Sequence, residues 1–242
     1  MLRSTFVVLT FCAMCGPLSA PFARAAPDAA TLSPSAETFR NEVRQACEKV
    51  VTDEGETLPS ESVSARLIRL GKIDQCGRNL LGKLDFTSLP PAEQKPGRAS
   101  VLDIIHGYDR DVEKQFKLLV PAAGWFVISK YGAGASKAAF LIVQHVNNDI
   151  EFMKMALNRM APLVGTADLD GQDYGLLYDR IAMMEGRPQK YGTQMVCVSG
   201  RYQPYTLEDP SKVNQYRTNL GMKMTLEQYV HMFDDNAPCV SP

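Results

Sequence analysis

The sequence predicts a mainly α fold, a multi-helical single domain with one small β-hairpin near the C-terminus. Three observations predict it. Apolar residues recur at alternating spacings of three and four along much of the chain, the period of a single helix face. Helix start and stop signals bracket those stretches, from Ser33-Pro34 to the Thr225 and Gln228 capping box. Residues 195–206 depart from the pattern, with a Ser199-Gly200 turn between two short β-type runs.

Residues 1–25 read as a secretory leader. Arg3 gives the positive start, and 5–15 is apolar but too short to span a bilayer. Ala23-Arg24-Ala25 is a small-x-small cleavage site, so the cut is expected after Ala25. The rival Leu18-Ser19-Ala20 is followed by Pro21, which resists cleavage. Phe11 and Met14 precede Cys12 and Cys15, which argues against a lipid anchor. No later apolar run approaches the ~20 residues of a membrane helix. The expected product is soluble, without membrane insertion, and periplasmic or extracellular. Residues 26–34 form a disordered lead-in, and 35–242 the helical domain.

Loss of Arg3 and Arg24 takes the formal net charge from −1 to −3. No basic stripe remains, which disfavours nucleic acid as a partner. The pattern sets no oligomeric state. Cys47, Cys76, Cys197 and Cys239 remain, an even number that predicts two disulfides in an exported chain. Of the three connectivities, 47–76 and 197–239 are preferred, because each joins neighbouring elements. No C-x-x-C and no histidine pair stands nearby, so no metal is expected.

Ser33 caps and Pro34 opens the first helix, which runs to about Val51, and 53–60 is a loop. The next helix carries Val63, Leu67, Leu70, Gly77, Leu81 and Leu84 on one face. Asp74 falls on that face, where a bare carboxylate is costly. Arg78, one turn on, is the expected partner, and the simplest reading is an ion pair at the edge of the core. Pro90, Pro91, Pro96 and Gly97 predict a break, then a helix from about Ala99 to Val120. Trp125 either anchors a loop on the core or walls a ligand site.

A further helix opens at Gly132 and ends its inward face at His145. It lacks the preceding strand and the spacing of a dinucleotide fingerprint, so no cofactor is expected. Asn147, Asn148 and Asp149 form a turn and cap the helix from Ile150 to Met160. Asp170 caps a helix from Gln172 to Glu185, and Gly186 is its left-handed stop. Asp179 and Arg180 lie within it, with Arg180 on the inward face beside Leu177 and Ile181. Asp209-Pro210 starts a helix that Gly221 ends.

Several short pieces, in their order and spacing, resemble a bacterial family known as domain of unknown function 6624. They are Asp74-Gln75 with Arg78, Gly124-Trp125 with Ser129 and Gly132, Gln144-His145, and Asp179-Arg180. Gln189 with Tyr191-Gly192-Thr193-Gln194 follows, then Asp209-Pro210, Arg217, Leu220-Gly221 and Tyr229. The resemblance spans residues 65–235. Phe126 stands where the family often has Pro, and Asn147 where it often has Asp. The resemblance implies membership of the family and no particular activity.

His145 is the one good acid–base candidate near neutral pH; His106 and His231 are weaker. Contact with Asp74 or Asp179 would orient and charge its imidazole, with Arg180 in support. The competing structural reading is a core histidine bonded to a carbonyl at a helix end. No G-x-S-x-G elbow supports Ser129, Ser136 or Thr193 as a nucleophile. Gln75, Arg78, Trp125, Gln144, Gln189, Tyr191, Thr193 and Gln194 are the candidate ligand contacts. Amides donate and accept together, and aromatics stack on rings, which suits a neutral or zwitterionic glycan or peptide. The same amides equally well tie loops to helix ends. Two functions follow. One is a cell-envelope binding or structural module with a polar site around His145. The other is a hydrolase-like enzyme with His145 as general acid or base, supported by Asp74 or Asp179 and Arg180. The expected geometry joins His145, Asp179, Arg180 and residues 189–194 in one site at the end of the 132–145 helix.

Overall fold

The computed structural model describes residues 32–55, 60–146, 148–233 and 238–239. The expected leader, the lead-in before Leu32, and Asn147 lie outside the described residues. The fold is mainly α, with one two-stranded antiparallel hairpin near the C-terminus.

Helix α1 (Pro34–Glu54) begins as expected, with the Ser33 side chain accepting from Ala36 N. It runs past Val51 until Gly55, at φ 65°, ends it. The helix expected to continue to Leu84 is instead broken into α2 (Val63–Gln75) and the single turn α3 (Arg78–Leu81). Two constraints act at the break. Cys76 is drawn into a disulfide with Cys47 of α1. A Cβ on Gly77 would stand 2.6 Å from Ile105, so a side chain there would push the next helix away.

That next helix, α4 (Pro91–Lys117), starts well before Ala99 and runs through Pro96. Pro96 lies past the first turn, so it removes the ladder bond to Ala92 and crowds that carbonyl, and the helix continues despite it. Gly97 is buried and packs closely on Leu89, so the Pro96-Gly97 pair makes a contact and not a break. The short α5 (Ile128–Tyr131) leads into α6 (Ala133–Gln144). Asp149 caps α7 (Ile150–Met160), accepting from Phe152 N at 3.0 Å. Asp170 caps α8 (Gly171–Met184), and Gly186 follows it at φ 68°.

Strands β1 (Met195–Val198) and β2 (Arg201–Pro204) pair with Met195 opposite Pro204 and Val198 opposite Arg201. Asp209 holds a turn by accepting from Ser211 N, so α9 (Val213–Asn219) starts later than Pro210. The capping box of Thr225 and Gln228 opens α10 (Leu226–His231). No helix among the described residues is long and apolar enough to cross a membrane.

The main core gathers Leu67, Leu70, Phe116, Phe126, Phe140 and Leu177 from α2, α4, α6, α8 and the loop before α5. A second cluster, around Val43, Phe86, Val101 and Ile105, joins α1 to α4. Helices α2 and α6 meet closely: a Cβ on Gly71 would lie 2.7 Å from the Ala138 Cβ. The disulfides are Cys47–Cys76 and Cys197–Cys239, the expected pairing. Replacing Cys47 and Cys76 together by alanine should lower stability by about 2–5 kcal/mol. Denaturant unfolding of the purified double variant measures it, and an unchanged midpoint would show the bond to be dispensable.

Candidate functional site

Asp74 sits in the last turn of α2 with 1% of its side chain exposed. Three neighbours hold it. The His145 Nδ1 lies 3.0 and 2.9 Å from its two carboxylate oxygens. Gln75 Nε2 donates to Oδ2 at 2.6 Å. Arg78 Nη1 is 3.5 Å from Oδ1 and donates to the Asp74 carbonyl at 2.6 Å. Arg78 therefore does pair with Asp74, but its stronger partner is Asp109 of α4. The two guanidinium nitrogens donate to the two carboxylate oxygens at 2.7 Å each, a fork-to-fork geometry.

His145 is positioned by the end of α6, where its own N–H bonds back to the Ile142 carbonyl. Its side chain is 18% exposed. A carboxylate only accepts, so a hydrogen bond to it from the ring needs the proton on Nδ1. Nε2 makes no hydrogen bond to another residue among the described residues. Arg180 of α8 belongs electrostatically to this cluster. Its pKa is lowered by burial and then by the charge of Arg78.

Asp179 serves a different network. It is fully buried and accepts from the backbone N–H groups of Lys190, Tyr191 and Thr193 at 2.8–3.1 Å, and from Thr193 Oγ1 at 3.0 Å. Burial raises its pKa, and these donors oppose that rise. Gln189, also fully buried, donates through Nε2 to the carbonyls of Gln194 and Tyr205 and accepts from Gln194 N. Gln194 Nε2 donates to Thr193 Oγ1 and the Leu176 carbonyl. Arg217 closes the unit, donating to the carbonyls of Tyr191 at 2.7 Å and Met224 at 2.8 Å. Gly192 makes the turn at φ 67°, and a Cβ there would stand 2.6 Å from Leu226.

The residues singled out in the sequence thus fall into two networks, served by consecutive residues of α8. Asp74, Gln75, Arg78 and His145 come together, with Arg180 nearby. Asp179, Gln189, Tyr191, Thr193 and Gln194 come together around a folded-back loop. No hydrogen bond joins His145 to the second group among the described residues. The amides of Gln189 and Gln194 are committed to internal bonds, and burial raises the pKa of Tyr191. Trp125 is buried in the core against Phe116 and Phe126. Gln144 is buried, and its Oε1 has no hydrogen-bond partner among the described residues.

Asp109 and Arg217 were missed as members of these networks. Asp109 shares a face of α4 with Ile105, Val112 and Phe116, the same signal that marks Asp74. Arg217 lies between Val213 and Leu220 in the same way. No group of three or more His, Cys, Asp or Glu among the described residues stands close enough to hold a metal ion.

Fold and site together define a disulfide-bonded, mainly helical protein with a buried ionic cluster around one histidine. The chain belongs to the Family of unknown function (DUF6624), whose model matches residues 64–239. No curated protein and no solved structure matches it.

Asp74→Ala should cost about 3–5 kcal/mol, because it strands the partners of a buried carboxylate. Asp179→Ala removes the acceptor of several buried donors and should cost at least about 3 kcal/mol. Both are read by denaturant unfolding. A change within about 0.5 kcal/mol in either would mean that the carboxylate is dispensable to the fold.

Proposed function

We propose that the protein is an exported binding module of the cell envelope whose ligand-contacting centre is the Asp74–His145 pair. Two features support export. Residues 1–25 carry the pattern of a cleavable leader, and all four remaining cysteines are paired in disulfides, which persist in oxidising compartments. One observation carries the site: a buried carboxylate fixes the imidazole through Nδ1, and Nε2 is left for a ligand. Around it, Asp74 and Asp109 pair with Arg78. A neutral ligand such as a glycan or peptide finds donors and acceptors together there. The reading rests on this cluster and not on residues 189–194, whose amides hold the fold.

The Nδ1 contact also favours a second reading, hydrolysis with His145 as general base. Asp74 would hold the ring, and Nε2 would take a proton from an attacking water. Arg180 and Arg78 would stabilise negative charge formed on the substrate.

Two measurements test the proposal. Protein expressed with its leader should be recovered outside the cytoplasm beginning at Ala26; an intact N-terminus would sink the export half. Long-range proton–nitrogen spectra should place the neutral His145 proton on Nδ1. His145→Ala should then weaken binding of neutral glycans or peptides at least tenfold, with the melting temperature within a few degrees of the parent. Turnover lost with His145 would favour the hydrolytic reading. A proton on Nε2, or collapse of the fold in His145→Ala, would mark the histidine as structural.

A further inference from the structure

A cavity of about 530 Å³ lies between α1, α2 and α6. Its size is in the range of small-molecule sites. Val50, Ile68 and Leu141 give it apolar walls. Ile68 is 41% exposed, a large apolar side chain left at the mouth. Gly134 adds no wall of its own: a Cβ there would meet nothing nearer than Ile68 at 3.7 Å.

The charges of the lining are already matched. Lys49 Nζ lies 2.7 Å from Asp53, and Lys72 Nζ lies 2.7 Å from Glu54. Lys137 is ion-paired with Asp173 of α8. Burial pushes the Asp173 carboxyl up to about 6, so at pH 7 it is ionised and neutralises the lysine. Neither an anion nor a cation finds an unmatched charge here. Two uncharged polar residues complete the lining, Gln75 and Asn79. Gln75 spends an amide N–H on Asp74, which leaves its carbonyl oxygen to accept. Asn79 makes no side-chain hydrogen bond among the described residues and offers both a donor and an acceptor.

We propose that this cavity binds an uncharged amphipathic small molecule. Its apolar body lies against Val50, Ile68 and Leu141, and its hydrogen-bonding end reaches Gln75 and Asn79. The site goes beyond the His145 reading and does not depend on it, although Gln75 touches both.

The test is a fluorescence titration of the full mature chain with N-phenyl-1-naphthylamine, an uncharged amphipathic dye. Emission should rise to saturation at one dye per chain, and the dye should shift the Ile68 and Leu141 methyl resonances of the unmodified protein. Ala46→Trp fills the cavity from α1 and Ile68→Trp from α2; each should weaken binding at least tenfold while retaining helical circular dichroism. The anionic relative 1-anilinonaphthalene-8-sulfonate should bind at least tenfold more weakly. The parent titration and the tryptophan variants leave His145 untouched, so failure of the histidine reading leaves this result standing. Absence of saturation, unmoved methyl resonances, undiminished binding in a folded tryptophan variant, or tighter binding of the anionic dye would each overturn the proposal.

Discussion

The buried carboxylate of Asp74 is the constraint on which the arrangement of this molecule turns. An ion with 1% of its side chain exposed must be surrounded by donors, and those donors come from different elements. His145 brings the end of α6 to it, and Arg78 brings α3. Through Arg78 the network extends to Asp109 on α4. The chain therefore fixes the relative placement of three core helices with hydrogen-bond geometry, where apolar packing alone would tolerate small shifts. Apolar packing still supplies the driving force, through the Leu67 to Leu177 core and the close contact of Gly71 with Ala138. The ionic cluster adds little net stability over an apolar isostere, because desolvation offsets much of the attraction. What it adds is geometric: the two Asp74 oxygens at 3.0 and 2.9 Å set where the His145 ring lies.

Asp179 solves a different problem by the same means. Residues 190–193 leave α8 and fold back with backbone N–H groups pointing inward, and irregular backbone has no ladder to satisfy them. One carboxylate accepts from three of those amides. Gln189 does the corresponding work with one amide group, which donates and accepts at once. Arg217 then satisfies the carbonyl side of the same loop. The side chains of Gln189 and Thr193 and the Gln194 Nε2 are thus bonded within the fold they organise.

How much of this was legible in the sequence follows from what each signal measures. Capping signals are local and chemical, and Ser33, Asp149, Asp170 and the Thr225 box marked true helix starts. Breaks written as proline or glycine were less faithful. Pro96 lies inside a helix that continues through it, while the break at Gly77 comes from the close approach of α4 and a disulfide, both of which are tertiary. Asp74 was legible because a charge on an apolar seam demands a partner. The nearest candidate in sequence, Arg78, was only part of the answer: His145 reaches Asp74 from 71 residues away, and Asp109 reaches Arg78 from 31. Periodicity states that a residue faces inward and is silent on which helix it meets there. The amide-rich 189–194 segment shows the converse limit, since composition cannot separate amides that read a ligand from amides that read their own backbone.

The same economy decides which residues can report on function. Arg78 closes the end of α2 by donating to the Asp74 carbonyl, one of the groups a helix terminus leaves unpaired, and it also balances Asp109. Asp74 and Asp109 are buried, so removing either leaves a charge without its counterpart. A loss of function in any of these three variants would be inseparable from a loss of structure. His145 differs in kind. It lies at a helix end, is half-buried, and its removal as the neutral Nδ1–H form leaves Asp74 still held by Gln75 and Arg78. Removal of an ionic member therefore strands a buried charge, while removal of the histidine does not.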